Sequence, residues 1–299
     1  MPRKAARLGG LFPYNRQSPM DRFLKCLFRG FGRLFPDGIL LGQAIAFNMF
    51  LAFFPMLLFI LGLLSSSSVL HNAARDLQER LVVILPPGSE DVVTAYLTRR
   101  TVHTWKWLSL GFGGTLLAGS QVMLGYIEGF RMIEGDVFRA SYLRRNARAL
   151  LLLVITLVPS LAVIYMTVFG KQFRAWLIRH IGLPWLIREV GFMLYGALVF
   201  ALAMLVLVAI YRIGRPGHRG YRDLLPGAAV ATVLWWTADI SFGFYVRRMP
   251  YDVVYGGLAA AIGLILWMYL SALIVLLGAA FNAEHRESSG APDPLSLLQ

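Results

Sequence analysis

"GGLAAAIGLILWMYLSALIVLLGAAFNAEH", residues 256 to 285, holds no charged side chain before Glu284. About twenty-five apolar residues in succession match the length a helix needs to cross a bilayer. A run so long and so uninterrupted calls for lipid around it, not merely a protein core. The run then closes on Gly278, Ala279 and Ala280, with Asn282 and Glu284 where the apolar stretch stops. Small residues let a neighbouring backbone come close, so this end of the helix is expected to pack against protein.

The rest of the chain agrees with a membrane reading. Of its 299 residues, 57% are hydrophobic and 15% charged, with a mean hydropathy of +0.61. Soluble domains of this size carry about 25% charged residues. The formal charge is +13. In a membrane protein such an excess speaks first of topology and of anionic lipid headgroups, and no specific nucleic-acid partner is expected. Cys26 stands alone, which rules out an intrachain disulfide and a cysteine-rich metal site. The opening "MPRKAARLGGLFPYNRQSP" has no continuous apolar core and is not a signal peptide. Residues 1–17 are read as a flexible basic N-terminus and 286–299 as a disordered tail, around a single membrane domain over 18–285.

The fold class expected is all-α, integral to the membrane, with six spanning helices at about 38–64, 107–127, 149–169, 191–211, 226–245 and 256–281. Pro226-Gly227 is expected to open the fifth, where a missing N–H is harmless. Pro55 and Pro159 fall inside the first and third and should kink or locally break them. Before the spans, residues 18–38 place Phe23, Leu24, Leu27, Phe28, Phe31, Leu34 and Phe35 on one helical face. Arg22, Lys25, Arg29 and Arg33 lie on the other. That pattern fits a helix in the membrane interface with its cations on headgroups, against the alternative of a linker helix packed on protein.

With the N-terminus inside, the inner segments 1–37, 128–148, 212–225 and the tail hold 18 of the 29 basic residues. Their density favours an arrangement with both termini in the cytoplasm. Within the longest outer segment, 65–106, apolar residues recur at helical spacing. Short amphipathic helices are expected there, capping the outer face.

Several elements together resemble the YihY/BrkB family of bacterial inner-membrane proteins. They are Arg215-Pro216, Pro226-Gly227, Tyr245, Tyr255-Gly256, Trp267 and Tyr269, and Gly278 leading to Asn282. The run "AIAFNMFLAFFPMLL" (44–58), ending in Phe54-Pro55, and the basic Arg144, Arg145 and Arg148 extend the likeness over about residues 20 to 285. Asn48 stands where the family commonly has tyrosine, and Asp239 is a charge inside the fifth span. The resemblance implies six transmembrane helices and an inner-membrane location. It also brings two inherited labels: a virulence or serum-resistance factor, and ribonuclease BN.

The residues do not support the nuclease label. Metal-assisted RNA hydrolysis needs several His, Asp or Glu ligands converging on an ion. The five histidines, His71, His103, His180, His218 and His285, include no pair at metal-binding spacing. No phosphate loop or Ser-His-Asp arrangement is present, and neither a metal, a cofactor nor an enzymatic activity is expected.

Polarity inside the membrane carries the functional expectation. Asp239, in "WWTADISFGFY", sits where a charge costs roughly 2.5–3.5 kcal/mol on insertion scales, so it should face protein or water. It is read as a proton or substrate site, or else as a structural hydrogen-bonder. Gln43 and Asn48 on the first span and Gln121 on the second are its expected partners. The alternative for these three is plain interhelical bonding. Asn282 and Glu284 are read as polar contacts at a helix end, or as a gate or headgroup site. Trp267 and Tyr269 are packing anchors or the wall of a cavity. The reading is a transporter-like or lipid- and envelope-handling protein with anionic lipid as its partner. A non-catalytic scaffold is the alternative. No pattern assigns an oligomeric state, a substrate or an energy source.

Overall fold

The computed structural model describes residues 19–65, 104–135, 141–181, 184–215, 220–248 and 258–288. Seven α-helices and no strand occur among them: α1 (Pro19–Leu34), α2 (Asp37–Ser65), α3 (Thr104–Glu134), α4 (Tyr142–Ile181), α5 (Pro184–Gly214), α6 (Tyr221–Arg248) and α7 (Leu258–Ser288). The outer helices expected over 65–106, the N-terminus 1–17, Pro216, Tyr255 and Gly256 lie outside the described residues, as does the tail beyond Ser288.

Five helices hold stretches long and apolar enough to cross a membrane: α2, α3, α5, α6 and α7. The third expected span, 149–169, lies within the 40-residue α4. α2 to α6 run past the expected spans at both ends and α7 past its span at the C-terminal end. α7 reaches Ser288, so 286–288 belong to a helix and not to the tail.

Each helix from α2 to α7 packs on the next, and α7 packs back on α2, closing a ring of six. α3 also touches α5 and α7 across it. The buried core gathers at one end: Ile45 on α2, Tyr126 and Phe130 on α3, Leu152 on α4, Tyr211 on α5, Leu224 and Ala228 on α6, and Leu276 and Ala280 on α7. This end also carries α1, the ends of α3 and α5, the starts of α4 and α6, and most of the described arginines. It is called the basic end below, and the opposite one the far end.

Pro55 and Pro159 sit within helices that continue through them. Pro226 departs from expectation. α6 begins at Tyr221, which places Pro226 inside the helix instead of at its start. A proline there removes the N–H that would bond the Arg222 carbonyl. A side chain from α7 serves the backbone beside it, as described below.

α1 lies against α7 and touches α2. Cys26, Gly30 and Leu34, spaced four apart and buried, form its docking stripe. A Cβ on Gly30 would meet the Phe281 backbone nitrogen at 3.2 Å, so the helix approaches α7 closely. Phe23 adds a ring contact to Phe281 at 5.3 Å between centroids. The apolar face therefore divides. One stripe packs on protein, while Met20, Leu24, Phe28, Phe31 and Phe35 stay exposed, Phe28 at 74%. The packed stripe accords with the linker-helix reading of this segment.

Candidate functional site

Polar side chains gather in two places, a buried knot at the basic end and a single carboxylate towards the far end. The knot is built on α7. Asn282, 2% exposed, accepts from the Gly227 N–H at 2.6 Å and donates through Nδ2 to the Leu224 carbonyl at 3.1 Å. Its amide thus bridges the α6 backbone on both sides of Pro226. Such contact needs a close crossing: a Cβ on Gly278 would stand 2.6 Å from the Gly227 carbonyl oxygen. Pro226-Gly227 and Gly278…Asn282, separate in sequence, are two halves of one joint.

Around this joint, the Tyr211 hydroxyl donates to the Val275 carbonyl at 2.8 Å. Arg215, just past α5, donates to the Ala279 carbonyl and pairs with Glu134 of α3. On the outer side of α7, Arg33 of α1 pairs with both Glu284 and Glu287. Partial burial pulls the Arg33 guanidinium down, but its hydrogen bond to Glu287 and the charges of Glu284 and Glu287 outweigh that and leave it above its ordinary value. Arg33 is therefore charged at any physiological pH. Asn282 and Glu284 make helix-to-helix contacts in this arrangement, the former to α6 and the latter to α1.

Asp239 is different in kind. At about 100° per residue, the α6 residues that meet α7 (Ala231, Trp235, Phe242) and the one that meets α5 (Trp236) diverge by roughly 120–130°, the corner angle of a six-membered ring. Asp239 falls between the two directions, on the sector facing the ring's interior. Val233, Ile240 and Phe244, about 100–140° around the helix from Asp239, are exposed and apolar, and Thr237 and Ser241, nearly opposite it, are exposed and polar. Along the interior sector the side chains pass from fully buried at Ala228 and Thr232 to exposed at Asp239, about two turns further on.

The partners expected for Asp239 are corrected by the structure. Its described hydrogen bond comes from the Trp267 indole, at 3.3 Å to Oδ1. Among the described residues no hydrogen bond joins it to Gln43, Asn48 or Gln121. Depth explains this. Gln43 lies roughly 9 Å along α2 from the basic end, while Asp239 lies roughly 27 Å along α6. Gln43 and Gln121 are exposed and Asn48 half-buried, and α2 is not a ring neighbour of α6.

Trp267 also stands beside Trp235, with centroids 6.2 Å apart, and Trp235 Nε1 donates to Ser271 Oγ at 3.1 Å. Tyr269 faces the other way, against Gly42 of α2, and Tyr245 is exposed beside Phe242. Pro55 belongs to the α2–α3 contact, where its side chain lies against Gly114. Lys25 and Arg29 are exposed on α1, flanking its aromatic ridge. Among the described residues no group of three or more His, Cys, Asp or Glu is placed to hold a metal.

A family model described as Virulence factor BrkB matches residues 36–296. The chain belongs to the virulence factor BrkB family. Among its relatives, the ribonuclease-like protein YfkH of Bacillus subtilis is 24% identical over 274 residues, covering 91% of this chain and 98% of YfkH. A UPF0761 membrane protein of Vibrio campbellii is 28% identical over 266 residues, 85% of this chain and 79% of the relative. One from Xanthomonas campestris is 27% identical over 257 residues, and the match covers 59% of that longer protein. No solved structure matches.

Within this BrkB-family protein, sequence reasoning passed over Glu134, Tyr211, Trp235 and Ser271. Glu134 left a readable signal: an acid in the last turn of a helix opposes the helix dipole and needs a nearby cation. Nothing local marked Tyr211 or Ser271, whose roles come from which helix lies beside them.

Proposed function

We propose that this BrkB-family protein is a transporter-like protein of the inner (plasma) membrane, spanning it six times with both termini in the cytoplasm. In this reading a solute or lipid group reaches Asp239 from the outer half of the ring while the basic end stays closed. The observation that carries it is Asp239 itself, on the interior sector of a helix long and apolar enough to span and exposed there, beyond the fully buried Ala228 and Thr232. A carboxylate with no role beyond packing would be expected to be covered. Nuclease chemistry finds no support in the residues around either polar site.

The test is reconstitution of the purified protein in liposomes, assayed for movement of solutes and of labelled lipid. Asp239→Asn keeps shape and hydrogen-bonding capacity, so it should fold normally and lose movement. Equal movement in wild type and variant would sink the role of Asp239. A static scaffold is the second reading, favoured by the polar knot that ties α1, α3, α5 and α6 to α7. It is preferred if neither protein moves anything and Asp239→Asn retains the cellular phenotype.

A further inference from the structure

Resting on the reading of Asp239 as a reachable interior site, we propose that this site binds an organic cation. The ligand is an ammonium group held at the carboxylate, with its apolar body against Trp235 and Trp267.

Charge comes first. An ionised carboxylate offers about four acceptor positions. The described contacts of Asp239 fill one of them, with the Trp267 N–H at 3.3 Å. Among the described residues no lysine or arginine stands within ion-pair distance of it. At the basic end Arg33, Arg131, Arg145 and Arg215 are already paired with acids, and at the far end Arg248 lies over the Phe244 ring, 3.9 Å from its centroid. An anionic ligand at Asp239 would meet a like charge and no compensating donor set. A cation would find an acceptor with no competing basic side chain among the described residues.

The rings supply the second half. Indole faces carry negative electrostatic potential and attract ammonium groups, by about 0.5–1 kcal/mol in exposed sites and more where water is scarce. Trp267 is anchored through its N–H to Asp239, and Trp235 through its N–H to Ser271 at 3.1 Å. Both indoles are thus oriented before any ligand arrives, with their planes inclined at 50°. A hard metal ion is disfavoured, since it would want six or more oxygens where the site offers one carboxylate. Carboxylate and anchored indoles together fit an alkylammonium.

The experiment uses the full-length protein in lipid nanodiscs, titrated calorimetrically with butylammonium chloride. Sodium chloride and sodium benzoate serve as controls. Saturable butylammonium binding is expected, weakened at least tenfold by Asp239→Asn, kept within a few-fold by Asp239→Glu, and absent with benzoate. Absence of binding, binding indifferent to Asp239→Asn, or a preference for benzoate overturns the proposal. So does a proton-only outcome, in which Asp239→Asn removes a pH-dependent change in melting temperature while no organic cation binds. A Cys26→Ser protein carrying Asp239→Cys or Thr232→Cys separates this failure from that of the underlying reading. Reaction of the first but not the second with a membrane-impermeant maleimide, without cation binding, rejects the ligand class and keeps the reachable site. If neither reacts, the reachable site falls as well.

Discussion

Arg215 Nη1 lies 3.2 Å from Glu134 Oε1, with both side chains almost wholly withdrawn from solvent at 1% and 2% exposure. The guanidinium also sits 5.5 Å from the Tyr211 ring centroid and 5.7 Å from that of Phe130. This pair links the end of α3 to the end of α5, and the Arg215 bond to Ala279 extends the link to α7. Glu134→Gln leaves a buried cation without its counter-charge, which typically costs about 3–5 kcal/mol. A markedly lower melting temperature in detergent is expected. A variant melting like wild type would show that the pair is dispensable.

The Asn282 bridge separates acceptor from donor. Asn282→Ala removes the buried side-chain bonds to the Gly227 N–H and the Leu224 carbonyl, each worth about 0.5–1.5 kcal/mol. Asn282→Asp keeps the acceptor for Gly227 but turns a second oxygen towards the Leu224 carbonyl. It should therefore melt below Asn282→Ala, and the reverse order would mean that the Leu224 contact contributes nothing.

Close crossing of α6 on α7 requires both glycines. Gly278→Ala would press a methyl against the Gly227 carbonyl and the Ala231 side chain, which lie 2.6 and 2.7 Å from the new carbon. Overpacking of this kind costs about 1–3 kcal/mol. Gly32→Ala, where nothing lies within 4 Å of the added carbon, should be neutral and serves as the control.

α1 has a division of labour among its cations. Lys25 and Arg29 are exposed beside the aromatic ridge, whereas Arg33 is engaged with Glu284 and Glu287. Each free cation near an anionic surface is worth about 1 kcal/mol. Lys25→Gln with Arg29→Gln should weaken association of the 18–35 peptide with anionic vesicles by roughly tenfold or more. In the intact protein Arg33→Gln should instead loosen α1 from α7, read as faster hydrogen exchange over Pro19–Leu34. Salt-insensitive vesicle binding, unchanged by the double variant, would remove the electrostatic contribution.

Topology is open to direct measurement. Reporter fusions after residues 37, 88, 218 and 295 are expected to read inside, outside, inside and inside. An inside reading at 88 would refute six spans with both termini in the cytoplasm.

Much of this architecture is legible residue by residue. Apolar length alone marks the spanning helices, because bilayer thickness sets a requirement that depends on local sequence only. The small residues at 278–280 announce a close helix neighbour, and the separation of Arg22, Lys25, Arg29 and Arg33 from the aromatics of α1 is visible on a helical wheel. Asp239 stands out for the cost of its charge at that depth.

What the sequence does not carry is adjacency. Gln43, Asn48 and Gln121 are as polar as any candidate partner for Asp239, yet ring order and depth along the helices give that place to Trp267. Pro226 reads as a helix start because a proline is harmless there, and it becomes an interior residue because Asn282 from another helix serves the backbone beside it. The apolar face of α1 is continuous in sequence and divides only when α7 takes one stripe of it. Local chemistry determines which segments enter the membrane and which side chains are costly there. Only tertiary packing decides which of them meet, since a hydrogen bond or an ion pair depends on two positions that no single stretch of chain contains.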